Sequence, residues 1–162
     1  MTYPDAESLI RSYRLTYHLI RLQTEGLTHA DSLLQPPFRG NCLNWVLGHI
    51  LAGRSQAHAL LTGSPLWHRA EAARYETGSQ PITTAEQALS LDTLLADVER
   101  SQQAITEALG GLCAEELAAP VEFRGDQQPL GQALAGLHWH ETYHTGQLEL
   151  LRQLAGKNDA VV

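Results

Sequence analysis

The sequence predicts an all-α protein, a four-helix bundle with long crossover-type connections, in a single domain over residues 1–162. Apolar residues recur at helical spacing in four stretches, and Gly or Pro clusters end them. No stretch reads clearly as a β-strand.

The first helix is expected over residues 4–34, with Pro4 suited to a first turn. Ala6, Ile10, Tyr13, Tyr17, Ile20 and Leu27 mark its buried stripe, with a bend or break near Gly26 and a stop at Pro36-Pro37. The second helix begins near Asn41 or Asn44, either a candidate cap, and stops at Thr62-Gly63. Residues 63–83 read as a long connection with a short helix around 66–75. The third helix opens at Thr83 or Thr84, where Thr84-x-x-Gln87 matches a capping box. Leu91, Leu94, Leu95, Val98, Ile105 and Leu109 form its face, and Gly110-Gly111 ends it. Residues 112–128 read as irregular. The fourth helix runs from about Pro129 to Gly156, leaving a frayed tail.

Composition narrows the function. The chain carries 18 acidic against 11 basic side chains, a formal charge of −7. Proteins that neutralise phosphates need the opposite balance, so no nucleic-acid partner is expected. No stretch approaches the roughly 20 apolar residues that span a bilayer. The N-terminus lacks a basic-then-apolar signal, and the two cysteines, Cys42 and Cys113, have no metal-type or redox-type spacing. A cytoplasmic protein with reduced thiols and no membrane association is the expectation.

Histidine is the conspicuous residue, with eight in the chain. On the fourth helix, advancing about 100° per residue from His140 puts His144 at about 40° and Leu137 at about 60°. Ala133 and Leu151 fall at about 20° on the same wheel, so both histidines lie in the apolar stripe. His138 falls at about 160°, facing away. Two imidazoles at i and i+4 can grip one cation, although such spacing arises about 0.4 times by chance in this composition. Burial strengthens the reading, because imidazoles in a Leu and Ala core need partners for their ring nitrogens. His49 is the best third ligand: Val46 and Ile50 place it on an apolar stripe, and Gly53 leaves room beside it. His58 has polar neighbours, His68 falls in a loop, and His18 and His29 lie off the first stripe.

The motifs Asn44-Trp45-x-x-Gly48-His49-Ile50 and His140-x-x-x-His144-x-Gly146-Gln147-Leu148 together resemble the DinB/YfiT-like family of small metal-dependent enzymes. The likeness spans nearly the whole chain. It implies a four-helix bundle of unusual connection order in which His49, His140 and His144 bind one divalent metal. Zinc or nickel comes first, with iron or manganese as alternatives. It also implies a homodimer and, from members with an assigned activity, a low-molecular-weight thiol as substrate for S-transfer to small electrophiles.

His140-Glu141-x-x-His144 is also a literal zinc-protease motif. A protease would need a further ligand downstream and a sheet edge for its peptide, and neither is evident. Glu141, at about 100° on the wheel, borders the site and is the candidate catalytic residue, orienting a ligand or water. Cys42 reads as packing rather than as a ligand, and Trp45 and Trp139 as core or interface aromatics. Gly131, Gly136 and Gly146 each cost about 1 kcal/mol in a helix interior, which suggests that something approaches closely. Arg54 and Arg152 suit an anionic substrate, with solvated surface positions as the default. The expected function is a metal-dependent S-transferase. The alternatives are a metal-dependent hydrolase and a non-enzymatic stress-response or structural bundle braced by its metal.

Overall fold

The computed structural model describes residues 3–67, 70–159 and 161. Asp5 starts the first helix by accepting the Ser8 amide at 2.7 Å, and α1 runs over Ala6–Thr24. The chain breaks where expected, with Gly26 at φ 69°. Thr28 and Asp31 then form a capping box for the short α2, His29–Ser32. The single first helix of the sequence reading is therefore two.

α3 spans Leu43–Thr62 and ends on Gly63 in the left-handed region. Neither asparagine caps it: the cap position is Cys42, which makes no side-chain cap bond. Asn44 is buried instead, donating to the Leu89 carbonyl at 2.8 Å and accepting from the Tyr75 hydroxyl at 3.0 Å. The connection to α4 holds two 3-10 turns, Ala70–Tyr75 and Ala85–Gln87. The Thr84 capping box forms, but on the second of these turns. α4, Leu91–Gly110, starts later, where Ser90 accepts the Thr93 amide at 3.1 Å. A local hydrogen-bond motif can start a turn that the chain does not extend.

After α5, Ala114–Ala118, comes a hairpin that the sequence did not predict. Strands β1, Pro120–Phe123, and β2, Asp126–Pro129, pair antiparallel from Pro120↔Pro129 to Phe123↔Asp126. Arg124 and Gly125 both take positive φ, 56° and 87°, as a two-residue hairpin turn of this hand requires. Four-residue strands with a proline in each are too short to show alternation. α6, Leu130–Leu154, follows directly.

The protein is thus mostly helical with a small two-stranded sheet. The four long helices pack in a ring, α1 against α4 and α6, and α3 against the same two. Two apolar clusters fill it, one including Ile20, Ile50, Val98 and Leu148, the other Tyr13, Ala57, Ile105 and Leu137. A buried polar layer falls between them on each of the four long helices. Arg54 of α3 meets Glu141 of α6 through two hydrogen bonds, at 2.9 and 2.6 Å, while Thr16 of α1 also donates to Glu141. Arg54 further donates to Ser101 and Gln102 of α4, at 3.2 and 3.3 Å.

Arg54 and Arg152 are accordingly not solvated: they are 1% and 5% exposed. Arg152 donates to the Glu25 carbonyl at 2.6 Å and pairs with Asp159 at 3.0 Å, tying down a tail that reads as frayed in sequence. Among the glycines of α6, Gly131 alone answers the close-approach expectation, since a Cβ there would lie 2.3 Å from the Tyr3 ring. Gly136 and Gly146 face open space. Among the described residues no helix is long and apolar enough to cross a membrane.

Candidate metal centre

The second-helix motif Asn44-Trp45-x-x-Gly48-His49 is a device for aiming one imidazole. Asn44 and the Leu89 amide hold the Tyr75 hydroxyl, at 3.0 and 2.8 Å. The Tyr75 ring lies over Gly48, where a Cβ would come within 2.0 Å of it. So seated, Tyr75 presents its carbonyl to His49 Nδ1 at 2.6 Å, and Trp45 stacks on the imidazole at 4.6 Å. Gly48→Ala should force the ring off its seat and cost about 1–3 kcal/mol. Metal affinity should fall with it; an unchanged denaturation midpoint and unchanged affinity would show that the seat is not needed.

From α6 come His140 and His144, one turn apart and half-buried. His144 Nδ1 lies 2.8 Å from Gln147 Oε1. The three Nε2 atoms converge, with His140 lying 3.2 Å from His49 and 3.1 Å from His144. Among the described residues these three form the group able to offer ligand atoms within 4.8 Å of one another.

The protons decide what such a cluster wants. The Tyr75 carbonyl and Gln147 oxygen make His49 and His144 donate from Nδ1, which leaves a bare lone pair on each Nε2. His140 Nε2 carries at most one proton for two such neighbours. Adding protons is resisted. Burial pushes His49 and His144 below the ordinary histidine range. His140 is lowered to about 4, by burial first and then by its imidazole neighbours and Arg124. Three neutral imidazoles facing one point suit a divalent cation. Ligand nitrogens on tetrahedral zinc, at about 2.0–2.1 Å from the metal, would stand roughly 3.3 Å apart, close to the spacing present.

These shifts predict a pH dependence for the metal-free protein. A histidine whose folded pKa is depressed binds fewer protons than in the unfolded chain between the two pKa values, so stability falls as pH drops. For His140 the window runs from 6.5 down to about 4. Urea titrations at pH 7 and 5 should show wild type losing more stability than His140→Gln. Equal losses would mean that His140 protonates as freely folded as unfolded.

A pocket of about 580 Å³ opens over the histidines, walled by Phe38, Arg39, Trp45, Trp139, Tyr143 and Leu150 among others. Glu141 is not in its lining: its carboxylate is taken by Arg54 and Thr16, and the residue is 3% exposed. The buried side of α6 centres on Glu141, and His140 and His144 lie along its edge. His138 does not face away either: it is half-buried with its ring edge-on to Tyr13 at 5.0 Å.

The remaining candidates stand apart from the cluster. Cys42 is buried against the Ile82 carbonyl, and burial raises its thiol pKa. His58 bonds the Ser64 carbonyl and His18 is exposed, while His29, expected at the surface, is half-buried and accepts the Leu91 amide. His68 lies outside the described residues. Gly53 does leave room, a Cβ there standing 3.8 Å from His140 Nδ1. Tyr75 and the bond from His144 to Gln147 escape sequence reasoning: Tyr75 sits in an aperiodic stretch, and Gln147 stands in the fourth-helix motif without a role that the sequence reveals.

A helical fold thus brings three imidazoles from two helices to one point beneath an open pocket, positioned so that they could hold a metal ion. The chain belongs to the DinB superfamily, whose family model matches residues 12–148. Two solved structures are similar. A conserved protein from Enterococcus faecalis is 15% identical with TM-score 0.73, covering 92% of this chain and 95% of that one. A DinB-like protein from Bacillus cereus is 20% identical with TM-score 0.71, covering 96% and 95%. At these identities the likeness is one of fold. No curated protein matches the sequence.

Proposed function

We propose that the chain is a metal-dependent enzyme in which His49, His140 and His144 hold one divalent cation, zinc or nickel first. Its substrate is a low-molecular-weight thiol, transferred to a small electrophile. The ring of long helices is, in this reading, the four-helix bundle of the DinB-like fold. The observation that carries the proposal is the convergence of three Nε2 atoms, two with their Nδ1 protons committed elsewhere, beneath a pocket of about 580 Å³.

When bound, a divalent cation there supplies the positive charge that lowers the pKa of a thiol. The Tyr75 carbonyl and Gln147 hold the imidazoles in the ligating tautomer. Trp45, Trp139 and Tyr143 offer apolar walls to the body of a substrate, and among the described residues no carboxylate side chain stands in the lining. Glu141 acts as a positioning residue, fixing α6 against α1 and α3. A purely structural metal would need no pocket at all.

Protein purified without an affinity tag should contain one metal per chain by elemental analysis. In the cobalt-substituted protein, added thiols should produce thiolate charge-transfer bands. Binding should strengthen as pH rises toward the thiol's pKa. If thiols leave the spectrum unchanged and no electrophile is consumed, thiol transfer fails and a structural metal becomes the better account.

A further inference from the structure

Most arginines of this chain are occupied by partners of their own. Arg11, Arg54, Arg100 and Arg152 stand in ion pairs. Arg21 donates to the Tyr17 hydroxyl and Arg74 to the Gln87 carbonyl. Among the described residues, the arginines with neither an ion pair nor a hydrogen bond are Arg14, Arg39 and Arg124, all exposed. Two of these three stand at the histidine cluster. Arg39, on the loop between α2 and α3, lines the pocket of about 580 Å³ above it. Arg124 holds the tip of the hairpin, its guanidinium over the Phe123 ring at 5.0 Å. Its charge reaches both His49 and His140, where it disfavours a proton.

The charge of the lining is a second observation. With 18 acidic against 11 basic side chains, an arbitrary stretch of this surface is more often negative than positive. Yet among the described residues of the lining Arg39 alone carries a formal charge. A guanidinium with no carboxylate of its own chain to pair with offers its fork to one from solution. A single cation suits a single negative charge, whereas a phosphate dianion asks for more donors. Trp139 and Tyr143, in the same lining, suit an apolar body attached to that carboxylate.

We infer that the pocket selects small substrates bearing one carboxylate, which Arg39 binds on the wall while Arg124 draws it in from the hairpin tip. Joined to the proposed chemistry, on which this step rests, the thiol is an anionic one, and neutral or cationic thiols are poorer ligands. The selection by charge itself needs neither metal nor thiol.

Metal-free protein tests that selection directly. Trp139 is 69% exposed in the pocket wall, while Trp45 and Trp67 are buried. Iodide should quench the tryptophan emission more efficiently than caesium, the reverse of what a net charge of −7 favours. Arg39→Gln should lower the iodide-to-caesium ratio about twofold or more, and Arg39→Lys should keep it. Arg14→Gln, on α1 and outside the lining, should change nothing.

In the cobalt-loaded protein, Arg39→Gln should weaken 3-mercaptopropionate about 3–10-fold by the thiolate bands and leave 2-mercaptoethanol unchanged. Comparing each thiol with itself in the two proteins removes differences in thiol acidity. Arg124→Gln should weaken 3-mercaptopropionate less, and high salt should abolish that smaller effect. Caesium quenching as well as iodide in wild type, or an iodide preference that survives Arg39→Gln, overturns the inference. Equal weakening of both thiols overturns it too. An Arg124→Gln protein that matches wild type at low salt removes the hairpin from the selection. A cobalt spectrum that ignores every thiol ends the thiol reading alone, and the iodide comparison then decides the charge selection by itself.

Discussion

Arg54→Leu is expected to cost about 3–5 kcal/mol of stability, the range for removing one partner of a buried ion pair. The change strands the Glu141 carboxylate among helices that offer it only Thr16 in exchange. It also leaves Ser101 and Gln102 without the guanidinium that bridges to them. The double variant Arg54→Leu/Glu141→Leu should recover most of the loss, because two apolar side chains can join the clusters on either side of the layer. Urea denaturation of the three proteins reads this directly. A single variant within about 1 kcal/mol of wild type would mean that water reaches the pair and that the layer is not a sealed one.

The second large effect concerns the metal. His49→Ala removes the ligand whose orientation Tyr75, Trp45 and Gly48 combine to set. Loss of an outer partner alone commonly costs 10–100-fold in affinity, so loss of the imidazole should cost more than about 100-fold. His138→Ala is the control: it is two residues from His140 but packs against Tyr13 and is not among the clustered ligands. It should lower stability modestly and leave metal content near one per chain. Equal metal loss in both variants, by elemental analysis after dialysis, would remove the three-histidine site from consideration.

Much of this was readable from residue order. α6 begins and ends within a few residues of expectation, and His49, His140 and His144 come together as their motifs require. The errors share a physical origin. Apolar periodicity sees only apolar residues, whereas the centre of this interior is polar. Thr16, Gln23 and Thr24 are buried on α1, Ser101 and Gln102 on α4, and Glu141 on α6. An apolar stripe therefore sets the phase of the last helix through His140 and puts Glu141 at the site's border, whereas the packing centres on Glu141. Arg54 reads as a surface charge for the same reason: nothing local to an arginine announces a carboxylate 87 residues away. Non-local partners also explain Asn44, which reads as a cap yet serves Tyr75 and Leu89.

Tyr75 links the long connection to the imidazole of His49, and this has a kinetic meaning. A segment with so little regular structure would normally open often, on a scale well below global unfolding. Here opening requires the ring to leave Gly48 and the hydroxyl to leave Asn44 and Leu89, and the same motion withdraws the carbonyl from His49. Local opening of residues 70–89 is therefore tied to the aim of the His49 imidazole, and a cation bound there should slow hydrogen exchange at the Leu89 amide.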